Sequence, residues 1–76
     1  MSGTPLKSPV QATVRAIGVS VGDVLSNDGE PAIVVEAMKT SISLKLSRAL
    51  LGKTVTGIAV EVGDVVKPGQ ALLFAE

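Results

Sequence analysis

Between Thr13 and Asp23 the chain alternates. Ile17, Val19 and Val21 are apolar, with Gly18 and Ser20 between them, a period of two that puts one set of side chains on one face of a β-strand. The alternation returns at Ile58, Val60 and Val62, set against Ala59 and Glu61. Laid one over the other, TVRAIGVSVGD (13–23) and TVTGIAVEVGD (54–64) share Thr, Val, Ile, Val, Val, Gly and Asp in order, at an offset of 41. The continuations VLSNDGEPAIVV and VVKPGQALLFA match again after a one-residue length difference in the turn. Two copies of one unit therefore fill nearly the whole chain. Two are too few for a solenoid, so the repeat predicts a closed fold with pseudo-two-fold symmetry.

Gly22-Asp23, Gly63-Asp64, Asn27-Asp28-Gly29 and Pro68-Gly69 punctuate these runs as turns. Asp23 and Asp64 stand at the same place in each copy, directly after a glycine. That position marks them as turn residues, whose side chains hydrogen-bond nearby backbone, rather than as an acid–base pair. Helix has little support; LSRALLGK could form one turn of it at most. Short strands at this regular spacing predict an all-β domain, a small sandwich or flattened barrel that hides its edges by near-closure.

Composition narrows what such a domain can do. Its 76 residues make one small domain, which buries only about 60% of its unfolded surface and needs an economical core. Cysteine, histidine, tryptophan and tyrosine are absent, and Phe74 is the single aromatic residue. Disulfides, thiolate and imidazole metal sets, and Ser/His or Cys/His nucleophile pairs are thereby excluded. Seven basic residues balance seven acidic ones, and no aromatic platform exists for bases, which argues against nucleic acid as a partner. No apolar run approaches the roughly 18–20 residues that span a bilayer, and MSGTPLKSP lacks the apolar region of a signal peptide. The expectation is a soluble, cytoplasmic, non-catalytic domain whose chemistry is borrowed from a cofactor or partner.

The repeat also isolates what is not repeated. After AIVV the first unit runs on through EAMKTSISLKLSR, whereas the second ends at FAE. Flanked by AIVV and SISLKL, this segment reads as a hairpin whose tip holds Ala37, Met38, Lys39 and Thr40. The symmetric place after the second unit is the C-terminus, so Lys39 is expected at the end of the domain opposite both termini.

At these residues the chain resembles the biotinyl/lipoyl attachment family, and specifically the biotin carboxyl carrier domains. Those domains carry Ala-Met-Lys-Met at a hairpin tip, commonly after a glutamate; here the match is Glu36-Ala37-Met38-Lys39, with Thr40 in place of the second methionine. About thirty residues upstream they have a Pro-Met-Pro-Gly-Thr-Val-like segment. SPVQATV (8–14) sits there and keeps Pro9, a structural residue at the entry of the strand. Ala49-Leu50 stands where the family has an Ala-Pro pair. The segment from Lys39 to Thr54 is also a few residues longer than usual, a length expected in the tip hairpin or its return strand. In the lipoyl branch an acidic residue precedes the modified lysine; Met38 occupies that position, which favours biotin.

The resemblance implies two four-stranded antiparallel sheets in a barrel-sandwich hybrid, with residues 1–7 as an N-terminal tail and 8–76 as the carrier domain. It implies biotin amide-linked to Lys39, with Glu36, Ala37, Met38 and Thr40 read by a biotin protein ligase. A lysine amine is overwhelmingly protonated at neutral pH, so activation must come from that ligase. The implied partners are the biotin carboxylase and carboxyltransferase components between which the carrier shuttles carboxylate. Two alternatives remain: a lipoyl carrier, or an unmodified connector of the same architecture in which Lys39 is a solvated turn residue. Lys45 and Arg48 read as solvated charges.

Overall fold

The valine-rich runs fold into seven short strands and, among the described residues, no helix. The structure is a computed structural model and describes residues 3–26, 28 and 31–76; Asn27 and Gly29 of the expected Asn-Asp-Gly turn lie outside them. In chain order the strands are β1 (Thr4–Lys7), β2 (Ala12–Ile17), β3 (Ile33–Ala37), β4 (Thr40–Ser43), β5 (Val55–Ile58), β6 (Val65–Val66) and β7 (Ala71–Ala75). They form two antiparallel sheets, ordered β1-β7-β5 and β4-β3-β2-β6. The molecule measures 31 × 28 × 19 Å. Its short axis is what two sheets about 10 Å apart with their outer side chains require. It is a flattened barrel-sandwich.

The sequence repeat is a structural one, down to its irregularities. In the first half Thr13, Val14, Ala16 and Ile17 pair with Glu36, Val35, Val34 and Ile33. In the second, Val55, Gly57 and Ile58 pair with Ala75, Phe74 and Leu73, while Thr54 and Glu76 exchange backbone hydrogen bonds of 2.9 Å. Both ladders shift register at the same residue, leaving Arg15 and Thr56 as the bulged positions. The turns also repeat. Asp23 N–H donates to the Ser20 carbonyl while the Asp23 carboxylate accepts from Ser20 N–H at 2.8 Å. Asp64 does the same with Glu61. The intervening Gly22 and Gly63 have φ of 99° and 98°, conformations that L side chains rarely adopt. Lys67-Pro68-Gly69-Gln70 builds the same device with the Gln70 amide oxygen as acceptor.

The core draws equally on both copies. Val14 and Val55, Ile33 and Leu73, Ala32 and Leu72, Val35 and Ala75, and Leu25 and Val66 are buried as symmetric pairs. Leu6, Ala12, Leu44, Leu46, Leu50 and Val60 complete it. Ser8, the one buried polar residue among those described, donates its hydroxyl to the Val10 carbonyl, so its burial leaves no polar atom unsatisfied.

Four expectations need correction. The sheets have three and four strands, not four each: the missing strand is reduced to a bridge from Val24 to Thr54, the counterpart of Val65 opposite Thr13. Gly52, at φ 81°, turns the chain just before that bridge, so the ladder cannot extend as it does through Ala12 and Thr13. Second, residues 4–7 are no tail, because Thr4, Pro5, Leu6 and Lys7 pair along β7 as its outer neighbour. Third, Val21 and Val62 do not continue the inward face; both are more than 60% exposed, because the chain enters the Ser20–Asp23 and Glu61–Asp64 turns before reaching the next inward position. Fourth, the extra length after Lys39 lies neither in the tip nor in its return strand. It forms the turn around 47–53, where Leu50 and Leu51 N–H both donate to the Ser47 carbonyl.

Candidate functional site

The first half differs from the second in its closed end. Ala37 pairs directly with Thr40, leaving a two-residue connection of Met38 and Lys39. A connection this short must follow the right-handed twist of the strands, which calls for positive φ at both central residues, as in a type I′ turn. Met38 has φ 51° and Lys39 φ 66°. Asparagine and glycine adopt this shape cheaply, whereas an ordinary L residue pays about 1–2 kcal/mol each. The hairpin holds because its base is anchored: Val35 is fully buried, and Ala37 and Ile42 pack against the core.

The tip is open. Met38 is 97% exposed, the most exposed large apolar side chain of those described, and Lys39 and Thr40 are exposed beside it. Among the described residues the Lys39 ammonium has no ion pair or hydrogen bond. Glu36 points to the outer face, where Arg15 Nε lies 3.2 Å from its Oε1. Arg15 stands at the bulge, two residues from the Thr13–Glu36 pair and diagonal to Glu36. Glu36 and Arg15 remain partly solvated, so the pair contributes about 0–1 kcal/mol.

The tip lies at the far end from the termini. Gly3 and Glu76 flank the Thr4–Ala75 pair at one end of the three-stranded sheet. At its other end, Lys7 and Ala71 lead through Ser8–Gln11 into Ala12 and Thr13, beside Glu36 and the hairpin. Such a short connection puts Lys39 on that side.

Over 71 residues, 93% of the chain, it is 30% identical to a protein of Emericella nidulans named "Putative urea carboxylase". The chain spans only 6% of that protein's length. No family model matches.

Of the residues singled out from sequence, Ala37, Met38, Lys39 and Thr40 come together at one tip. Glu36 sits one residue below it, engaged with Arg15. Arg15 could not be matched to Glu36 along the chain, because the pairing of β2 with β3 joins residues far apart in sequence. The sequence reading also missed the likeness of β4 to β1. Ser43-Leu44-Lys45 occupies the same places as Pro5-Leu6-Lys7, and the offset of 38 between the two Leu-Lys steps was the available signal. Among the described residues no cluster of acidic side chains could hold a metal ion, and no helix is long and apolar enough to cross a membrane.

Proposed function

We propose that Lys39 is the attachment site of biotin and that the domain is a biotin carboxyl carrier. The observation that carries this reading is the tip itself: two L residues held at positive φ on a well-anchored hairpin, one a methionine bared to solvent, the other a lysine without a partner. Backbone strain of this kind gathers at functional positions because packing elsewhere has to sustain it. An unmodified connector has no need of it, since asparagine and glycine would close the same turn at lower cost. The likeness to a protein named as a carboxylase supports biotin over lipoate, because adding a carboxylate is the task the biotinyl branch of the resembling family serves.

The residues at the tip suit the group. Lys39 offers a primary amine on a flexible four-carbon stem, free to form an amide with biotin's carboxylate. Met38 gives a ligase an apolar handle, Glu36 and Thr40 give it polar ones, and Ala37 keeps the base of the turn small and packed. Bound biotin would supply a ring nitrogen able to take up and release a carboxylate. The chain's own part is to hold the arm at the end away from the termini, so that a tethered domain can reach two partner sites. Tethering makes each delivery effectively intramolecular, with local concentrations on the order of millimolar. The implied partners are a biotin protein ligase and the carboxylase and carboxyltransferase components of a cytoplasmic biotin-dependent enzyme.

The test is the intact mass of the protein after co-expression with a biotin ligase, beside Lys39→Ala. A gain of one biotinyl group in the parent alone is expected. A lipoyl gain from the host would move the cofactor to the alternative branch. No gain with a ligase that modifies a control acceptor would leave Lys39 a turn residue and the domain a connector.

A further inference from the structure

Two of the edge strands, β4 and β1, are symmetric mates that differ at one backbone atom. Ala37 and Thr40 close the hairpin as a hydrogen-bonded pair, and Leu44 N–H donates to the Ile33 carbonyl at 3.0 Å. By the alternation of antiparallel ladders, Thr40, Ile42 and Leu44 therefore turn their backbone groups toward β3, and Ser41, Ser43 and Lys45 turn theirs outward. Among the described residues, no hydrogen bond engages these three. On β1 the mate of Ser43 is Pro5, which has no N–H to offer. One edge is blocked and the other is open.

A hollow of about 420 Å³ adjoins the far end of the open edge, lined by Ser43, Leu44, Lys45 and Leu46 with Pro31 and Ala32 across from them. Cations stand along the same stretch, Lys45 at its end and Arg48 after it, neither with an acidic partner among the described residues. A second copy pairing antiparallel through this edge would bring these like charges together, which disfavours it. An acidic strand would not meet that repulsion.

From the open edge, the hollow and the charges, we propose that β4 is a docking edge for an extended acidic peptide segment of a partner protein, added as a further strand. The segment's main chain pairs with Ser41, Ser43 and Lys45. Acidic side chains on its outer face meet Lys45, and an apolar side chain on its inner face enters the hollow beside Leu44 and Leu46. The inference does not depend on modification of Lys39.

The probe is an acetylated and amidated hexapeptide of alternating glutamate and leucine, titrated into the full chain with 15N labelling. The expected result is saturable binding with shift changes concentrated on the amides of Ser41, Ser43 and Lys45, and slowed hydrogen exchange there. Ser43→Pro, which copies Pro5 onto the open edge without removing a ladder bond, should weaken binding at least tenfold with the spectrum still folded. Lys45→Glu should weaken it several-fold while keeping every backbone group. Changes confined to other surfaces, equal binding of a lysine–leucine peptide, or binding unaffected by both substitutions would overturn the proposal. Concentration-dependent dimerisation abolished by Ser43→Pro would also overturn it, giving the edge to a second copy instead.

Discussion

The halves of this domain share their turns, bulges and core, yet one closes on itself at Met38-Lys39 and the other is open at Gly3 and Glu76. The shared parts are those a sandwich needs to exist. Buried pairs such as Ile33 and Leu73 fill the space between the sheets, and Asp23 and Asp64 return the chain into the next strand. The unshared parts coincide with the positions to which function is assigned here. Among the described residues, L side chains at positive φ sit on the closed end only. The Arg15–Glu36 pair braces that end only, for the mate of Arg15 is Thr56, whose hydroxyl bonds the Phe74 carbonyl instead. Symmetry thus acts as an internal control: what both copies keep is architecture, and what one copy alone carries is a candidate for use.

The equivalence of the cores can be broken most severely by truncation. Ile33→Ala and Leu73→Ala remove side chains that are both 0% exposed, and each should cost about 2–5 kcal/mol in urea denaturation. If the symmetry extends to energetics, the two losses will agree within about 1 kcal/mol; a larger gap would show one half packing more tightly. Either variant takes a large share of the total stability of so small a domain.

A smaller effect separates the halves at Gly18 and Ala59, which are sequence mates. Each donates its N–H across to the neighbouring strand, to Ala32 and Leu72 respectively, at 2.8 Å. Ala59 already carries a methyl group, but a Cβ on Gly18 would lie 2.5 Å from the Pro31 carbonyl oxygen. Gly18→Ala should therefore destabilise by about 1–3 kcal/mol, as overpacking does. Ala59→Gly should cost less, about 1 kcal/mol or below. Equal costs in thermal or chemical unfolding would refute the close approach of Pro31 to Gly18.

The mildest change sharpens the contrast at the tip and has the opposite sign. Replacing Met38-Lys39 by Asn-Gly, which favours this turn, should stabilise the protein by about 1–2 kcal/mol while removing the lysine proposed for attachment. An unchanged or lower unfolding midpoint would mean that the tip stores no strain.

Much of this was legible in the chain because it is local or repeated. The Thr-Val…Gly-Asp repeat located both halves, the glycine–aspartate steps located the turns, and the unrepeated Glu36–Thr40 stretch located the hairpin tip. What escaped was non-local. Thr4–Lys7 is an ordinary polar-apolar stretch until β7 offers it a ladder. Val21 fits its alternation but lies in a turn. The bulges at Arg15 and Thr56 leave no mark on the period of two.

The sequence by itself determined that this is a two-fold β-domain and that one lysine stands at its unrepeated end. Alternation and turn chemistry are properties of a few consecutive residues, so they can be read along the chain. Tertiary structure decided the register, the reach of Arg15 to Glu36, the bridge that replaces an eighth strand, and which edge remained unpaired. Those depend on hydrogen bonds between residues far apart in sequence, such as Thr54 with Glu76 or Leu44 with Ile33. Their partners are fixed only when the two sheets close on a common core.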